Sequence, residues 1–180
     1  MVITFFAPGF EEIEAITPVD LLRRAGVEVI TAGVNSREIT GARGIAVVAD
    51  ITAAELVLSE DIEAIILPGG MPGTVNLEKS QAVSDAIDYC FRNNKLICAI
   101  CAAPSILGHK GLAENKKVTC YPGYEKQMRG AVTTGEDVVC DGQFITARGA
   151  GVSAQFALAI IEKLISAEKA REIKEAIRMS

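Results

Sequence analysis

One cysteine stands at a junction of the sequence where its thiol would be presented for chemistry. The stretch LICAICAAPSILG, residues 96–108, starts as an apolar strand and ends as a helix, and Cys101 lies at the turn between them. Ala99, Ala102 and Ala103 are the small neighbours that so sharp a turn needs. A helix beginning near Ala102 directs free N–H groups and the positive end of its dipole toward the sulfur. The pattern predicts a nucleophile elbow that favours a Cys101 thiolate and offers donors to an oxyanion.

Cys98 and Cys101 also form a C-x-x-C pair, a spacing typical of a redox disulfide or half a zinc site. Here three strand steps separate the Cα atoms by about 10 Å and point the side chains to opposite faces. A disulfide needs Cα atoms within about 7 Å of each other. His109 is the only histidine and no second C-x-x-C exists, so the sequence favours neither a disulfide nor a metal site. A role for Cys101 as a small buried apolar residue stays open at this point.

Two other loops carry unusual residue types. In LPGGMPG, Gly69 and Gly70 allow the backbone to approach a substrate closely, and the Gly70 N–H is a candidate second oxyanion donor. The acidic run after the first strand offers Glu11, Glu12 and Glu14. The simpler interpretations are a tight turn for the glycines and solvated charge near a helix start for the glutamates.

Strands and helices alternate along the chain and must position these loops. Apolar runs without polar alternation are typical of a parallel sheet covered on both faces, and here they fall at 2–6, 27–33, 45–48, 64–70, 95–100 and 143–148. Helical patterns are predicted at 17–25, 53–58, 80–93, 102–108, 151–165 and 168–178. The alternation predicts an α/β sandwich, in which ligands bind beyond the carboxyl ends of the strands.

The first of these helices has both ends marked. Thr17 is predicted to be its N-cap, with Pro18 at the first helical position and Gly26 just past the end. Residues 131–147 are expected to form short strands joined by a turn that contains glycine.

Length, composition and charge indicate the number of domains in this chain and exclude some classes of function. Its 180 residues suit one domain, 1–180, and 49% are hydrophobic, as in a well-packed globule. The net charge of −5, with no basic run interleaved with aromatics, argues against nucleic acid as a partner. We expect neither a signal peptide nor a membrane span. Five cysteines in mostly apolar surroundings indicate reduced thiols and a cytoplasmic location.

Five ordered motifs make this chain resemble the ThiJ/PfpI superfamily, and within it the clade of the parkinsonism-associated protein deglycase. They cover nearly the whole sequence: GFEEIEAITPVDLLRRAG, LPGGMPGTVNL, AICAAP, KVTCYPGYEKQM and ARGAGVSAQFALAIIEKL. The resemblance implies a flavodoxin-like three-layer sandwich with a mostly parallel sheet, a homodimer, Cys101 as the reactive cysteine and Glu14 as its acidic partner. It also implies that Gly70 and Ala102 donate the oxyanion-hole N–H groups and that Arg43, with Arg23 or Arg24, lies near the dimer interface.

The same resemblance implies glyoxalase-type or deglycase activity on methylglyoxal and its adducts, without a cofactor. Two departures from the family matter. Peptidase-type relatives have a histidine directly after the elbow cysteine, where this chain has Ala102. The deglycase has a histidine at the position of Tyr121, and a tyrosine side chain is a poor general base at neutral pH. Glu14 is then the only evident proton carrier. Ala150 replaces the usual proline, a change of little chemical consequence.

The sequence leaves several functions open. In the first, a thiolate attacks a small carbonyl substrate, a 2-oxoaldehyde, while a protonated Glu14 hydrogen-bonds to the sulfur and then moves the proton. In the second, Cys101 is oxidised to a sulfinic acid, and the dimer acts as a peroxide sensor or a chaperone. Amidotransferase or hydrolase chemistry is disfavoured because His109 is predicted to be a surface or capping residue. Cys120 and Tyr121 are further candidates to line the site, with Gly69 and Arg43.

Overall fold

Seven strands form one central sheet in the computed structural model of the chain, which describes residues 1–179. The elements of the first half are β1 (Val2–Phe6), α1 (Glu12–Arg24), β2 (Val29–Gly33), β3 (Glu38–Thr40), β4 (Ala46–Val48), β5 (Ile51–Thr52), β6 (Ala64–Leu67), α2 (Gly73–Lys79) and α3 (Gln81–Arg92). Those of the second half are β7 (Leu96–Ile100), α4 (Pro104–His109), β8 (Lys117–Val118), β9 (Val132–Thr133), β10 (Val138–Asp141), β11 (Phe144–Ala147), α5 (Ser153–Leu164) and α6 (Ala167–Ala176).

The sheet order is β10, β11, β7, β6, β1, β2, β5, and only β10 runs antiparallel to its neighbour. Two small two-stranded sheets, β3 with β4 and β8 with β9, lie outside it. The sheet has a hydrophobic core on each face. In β1, Val2 and Phe6 pack into the core with α1, α5 and α6, whereas Ile3 and Phe5 pack into the core with α2, α3 and α4. The predicted three-layer sandwich with a mostly parallel sheet is confirmed.

The helix α1 begins six residues before its predicted first helical position, Pro18. It starts at Glu12, so Thr17 is not its N-cap and Pro18 lies inside the helix. The proline removes only one backbone donor, while Ala15, Val19 and Leu22 on the same helix are buried. Burial of this apolar face outweighs the lost hydrogen bond, and the acidic run becomes the first turn of α1.

Several shorter predictions also needed correction. The strand at 45–48 is β4, which pairs with β3 rather than joining the central sheet. The helix expected at 53–58 is a single 3-10 turn, Ala53–Glu55, and the helix after the elbow begins at Pro104 rather than Ala102. The helix α2 was not predicted. Among residues 1–179, no helix has the length and apolar character that crossing a bilayer requires.

Candidate active site

The strand β7 ends in a sharp turn at Cys101. The residue has φ 65°, a left-handed conformation that costs a non-glycine residue of order 1–3 kcal/mol and that clusters at active sites and ligand-binding turns. Its N–H donates to the Ala147 carbonyl at 2.8 Å, and its carbonyl accepts the Tyr121 N–H at 2.7 Å. The backbone on both sides of the sulfur is therefore held, and the thiol projects past the end of the sheet.

The carboxyl group of Glu14 lies against this thiol. Glu14 is on α1, 1% exposed, and its Oε2 accepts the Gly69 N–H at 2.9 Å. A Cβ on Gly69 would lie 2.7 Å from that oxygen and 2.8 Å from the Cys101 Cβ. Only glycine fits there, because any side chain would push the acid and the thiol apart. Gly69 thus lies behind the site and supports it.

Burial dominates the ionisation of both groups. It raises the pKa of Glu14 to about 7, and the charge of Glu11 adds to this, while the hydrogen bonds from Cys101 and Gly69 oppose it. Burial is also the main cause that raises the pKa of the Cys101 thiol. The negative charge of Glu14 and its hydrogen bond to the thiol raise that pKa further. At neutral pH the thiol is protonated and Glu14 is near its midpoint, as expected for an acid that exchanges a proton.

The expectation that the helix start favours a thiolate is therefore wrong for the resting pair. The helix α4 begins three residues after the sulfur, has six residues, and starts with a proline that has no N–H group. Its dipole is too short and too distant to offset burial.

Two backbone donors do face the sulfur. The N–H groups of Gly70 and Ala102 both lower the pKa of the Cys101 thiol, and both residues line the same cleft. Gly70 has φ 91, and a Cβ there would lie 2.4 Å from the Glu11 nitrogen. The structure thus places the two predicted oxyanion donors beside both Cys101 and Glu14.

The cleft over Cys101 has a volume of about 380 Å³. Its wall includes Tyr121 and Arg43, as expected, and its full lining is Glu11, Glu14, Ala42, Arg43, Gly70, Met71, Cys101, Ala102, Tyr121, Tyr124 and Ala150. The volume lies in the range of small-molecule sites and exceeds what a three-carbon aldehyde needs.

Two other candidates lie away from the cleft. Cys120 is 6% exposed and packs into the core beneath α3 and α4, so its prediction as a site-lining thiol is wrong. Cys120 lies in the segment after β8. The next residue, Tyr121, is the one that lines the cleft. His109 lies on the surface, with Nδ1 2.6 Å from the Glu78 Oε1, as its surface interpretation predicts.

Sequence reasoning missed the roles of Glu11 and Glu12. Glu11 lines the cleft, and its Oε2 lies 3.6 Å from the Arg43 guanidinium. Glu12 is 7% exposed rather than solvated. Placing the start of α1 at Glu12 would have revealed these roles. It puts all three acids at the N-terminus of the helix that follows β1. Within residues 1–179, no group of three or more His, Cys, Asp or Glu side chains is arranged to hold a metal ion.

Comparison with known proteins gives the family. The sequence model of the DJ-1/PfpI family matches residues 1–163. The chain belongs to the DJ-1/PfpI family. It is 37% identical to Protein dj-1beta of Drosophila melanogaster over 178 residues, covering 97% of this chain and 95% of that protein. The crystal structure of Drosophila melanogaster DJ-1beta superposes with a TM-score of 0.93 at 36% identity, covering 99% of this chain and 97% of the other.

Another relative is named for an activity. The glutathione-independent glyoxalase DJR-1.2 of Caenorhabditis elegans is 33% identical over 165 residues, covering 91% of this chain and 87% of that protein. The Toxoplasma gondii DJ-1 structure, described as oxidized, superposes with a TM-score of 0.93 at 33% identity, covering 98% of this chain and 96% of that one.

The raised pKa of Glu14 predicts a pH dependence of stability. A buried acid whose pKa rises from 4.5 to about 7 binds its proton more tightly in the folded state. The free energy of unfolding should therefore fall as pH rises from 4.5 to 7, by an amount of order 3 kcal/mol. Glu14→Gln should remove this slope. Urea unfolding at several pH values measures it, with Glu28→Gln at an exposed position as control. An equal slope in Glu14→Gln and wild type would contradict the assignment.

Proposed function

We propose that the protein performs cofactor-independent glyoxalase-type or deglycase chemistry on methylglyoxal and related 2-oxoaldehydes or their adducts, through Cys101. The observation that carries the proposal is the cleft itself, where one thiol meets a carboxyl group of pKa about 7 and two free backbone donors. The C. elegans relative named as a glutathione-independent glyoxalase supports the same class of reaction.

The first step joins the sulfur to the aldehyde carbon. The thiol loses its proton to the ionised Glu14 carboxylate as the S–C bond forms, so no free thiolate has to accumulate. The aldehyde oxygen takes the electron pair of its double bond and is held by the N–H groups of Gly70 and Ala102. The product of this addition is the oxyanion of a hemithioacetal with Glu14 protonated. Glu14 then returns the proton to that oxygen, which gives the neutral hemithioacetal and restores the Glu14 carboxylate.

The second step moves hydrogen within the bound substrate. The Glu14 carboxylate removes the proton from the former aldehyde carbon, which leaves an enediolate with its charge on the second carbonyl oxygen. The hydroxyl proton of the hemithioacetal passes to that second oxygen, and Glu14 returns its proton to the neighbouring carbon. This converts the hemithioacetal into a thioester without an external oxidant. Water then cleaves the thioester, releasing a hydroxy acid and restoring the thiol. Overall, methylglyoxal and water yield lactate.

Tyr121 marks the weak point of this scheme. Its N–H is tied to the Cys101 carbonyl and its ring, 51% exposed, lies at the cleft edge-to-face with Tyr124, with centroids 6.4 Å apart. It donates a hydrogen bond well but accepts a proton poorly. Glu14 then carries out both proton transfers, which supports a real but slow turnover.

Substitution of the thiol tests the proposal. Cys101→Ser should abolish lactate formation from methylglyoxal, because the hydroxyl is a far weaker nucleophile beside Glu14. Tyr121→His should raise kcat, by up to about 10²-fold if it restores a general base. Lactate is measured with stereospecific dehydrogenases. Cys140→Ser, at an exposed thiol that does not line the cleft, is the control and should retain activity. Turnover in Cys101→Ser at the wild-type rate would refute the mechanism.

The second candidate function is peroxide sensing, or chaperone activity controlled by oxidation, at the same sulfur. Peroxide converts the thiol to a sulfenic acid and water, and a second peroxide gives a sulfinic acid and water. The N–H groups of Gly70 and Ala102 and a protonated Glu14 are placed to donate to the new oxygens. The T. gondii relative has a structure described as oxidized, which supports this candidate.

Mass spectrometry separates the two functions. If oxidation is the function, mild peroxide should add two oxygen atoms to Cys101 in wild type, and Glu14→Gln should weaken retention of the sulfinic acid because a donor is altered. Peptide mapping locates the oxygens, and Cys140 serves as the internal reference for an exposed thiol. Oxidation of Cys140 before Cys101 would argue against a sensor, and rapid lactate formation by the reduced protein would favour the enzyme.

We further propose that the protein is a homodimer that uses an apolar face beside the cleft. Ile13 and Ile16 lie one turn apart on α1 and are 54% and 40% exposed. Ile45, 57% exposed, lies in the turn whose amides bind Glu12, the residue before Ile13 in the sequence. Val48 on β4 is 70% exposed. Exposed apolar residues grouped in this way favour a protein partner.

Sedimentation equilibrium measures the assembly. We expect about twice the 19.1 kDa of one chain. Ile16→Glu should shift the mass toward one chain because a charge would have to be desolvated. Val57→Glu, at a position 75% exposed outside this face, is the matched control and should not change it. A wild-type mass of one chain would contradict the dimer.

A further inference from the structure

Glu12 has a buried carboxyl group that the proposed reaction does not use. It is the first residue of α1 and is 7% exposed. Its Oε1 accepts the Arg43 N–H at 2.7 Å and the Ile45 N–H at 3.4 Å. Within the described residues its Oε2 is buried without a hydrogen-bond partner. Such burial costs free energy, so the group is a poor device for stability alone.

The turn at residues 41–45, between β3 and β4, is built around this carboxyl group. The Gly41 N–H donates to the Ile45 carbonyl at 2.9 Å and closes the turn. A Cβ on Gly41 would lie 2.4 Å from the Glu12 Oε1, so a larger residue there would displace the carboxyl group. The Ala42 N–H also donates to the Phe10 carbonyl at 2.7 Å, which ties the turn to the chain before α1.

This turn supplies one wall of the Cys101 cleft. Both Ala42 and Arg43 line the cleft, and Arg43 is the only cation among its lining residues. The Arg43 side chain is 73% exposed and its Nη2 lies 3.6 Å from the Glu11 Oε2. The contact with Glu11 is long, so most of the guanidinium donors stay free for a ligand in the cleft.

We propose that Glu12 is a positioning residue: its carboxyl group anchors the 41–45 turn and so fixes the Arg43 guanidinium in the cleft, where it donates to the second carbonyl oxygen of a 1,2-dicarbonyl substrate. The assignment of the substrate rests on the proposed function. A 1,2-dicarbonyl has two oxygens, and the N–H groups of Gly70 and Ala102 account for one. The other gains negative charge in the enediol step, where a permanently charged guanidinium stabilises it.

Alkylation of Cys101 tests the placement of Arg43 without any turnover. Iodoacetate is an anion and iodoacetamide is its neutral counterpart. The rate of Cys101 alkylation by iodoacetate divided by the rate with iodoacetamide therefore reports the charge near the thiol. Arg43→Met should lower the ratio about fivefold, and added salt should shrink the difference. Glu12→Ala should lower the ratio similarly because the turn is released. Glu12→Gln keeps an acceptor oxygen and should stay near wild type. Peptide mass spectrometry follows Cys101 alone.

A matched arginine provides the control. Arg37 lies beside β3, in the same hairpin, and its Nε donates to the Ala49 carbonyl at 3.0 Å away from the cleft. Arg37→Met should leave the ratio unchanged. If Glu12→Ala does not fold, Gly41→Ala displaces the carboxyl group from the other side and should lower the ratio in the same way. An unchanged ratio in Arg43→Met, or in every folded variant that disturbs Glu12, overturns the positioning role.

Kinetics on methylglyoxal test the dicarbonyl contact. Arg43→Met should lower kcat/KM about ten- to a hundredfold, the range for a lost charge-assisted hydrogen bond. Glu12→Ala should lower it as well, and Glu12→Ala with Arg43→Met should be no worse than Arg43→Met alone. If the fold loss in kcat/KM of the double variant equals the product of the two single losses, Glu12 acts independently of Arg43 and the proposal is overturned. Wild-type protein without turnover would refute the proposed function and with it the dicarbonyl contact, while the alkylation ratio would still decide the placement.

Discussion

One small volume beyond the sheet holds two acidic groups, and it can accommodate one negative charge far more readily than two. The Glu14 carboxyl and the Cys101 thiol are both removed from water, and the charge of Glu14 raises the cost of ionising the thiol. Burial holds the acid near its midpoint at neutral pH, and burial together with the Glu14 charge keeps the thiol protonated at rest. A reaction that moves one proton between them avoids the doubly charged state altogether.

The fold meets that constraint by bringing three strand ends together. The strands β7, β6 and β1 are neighbours and run parallel, so the loops that follow them meet at one edge. They deliver the thiol, the glycine pair and the acid respectively. Gly69 allows the acid and the sulfur to approach each other, and Gly70 turns its N–H toward the sulfur. Backbone groups are well suited to this task because their positions are fixed by the sheet.

The N-cap residue and the first turn of α1 divide three tasks among three carboxyl groups. Glu14 faces the thiol, Glu11 faces the guanidinium of Arg43, and Glu12 binds the backbone of the turn that carries that arginine. The helix spacing sends the three side chains in different directions. One helical turn therefore organises both the reactive pair and the opposite wall of the cleft, and a change in where α1 begins would disturb all of them together.

The sequence by itself determined the main alternation of strands and helices and the elbow at Cys101, although it missed α2 and the short strands β3, β5 and β8. Those features depend on local apolar runs and on small residues around one position, which are legible without any long-range contact. It also located Glu14, Gly70, Ala102, Arg43 and Tyr121, although their roles came from family motifs rather than from spacing. Tertiary structure alone decided that α1 continues through Pro18, that Cys120 lies in the core and that Glu12 supports a distant turn. It also decided the direction of the Cys101 pKa. Each of these depends on burial or on contacts between residues far apart in the chain, which set the local dielectric and the available hydrogen-bond partners, and no local pattern encodes them.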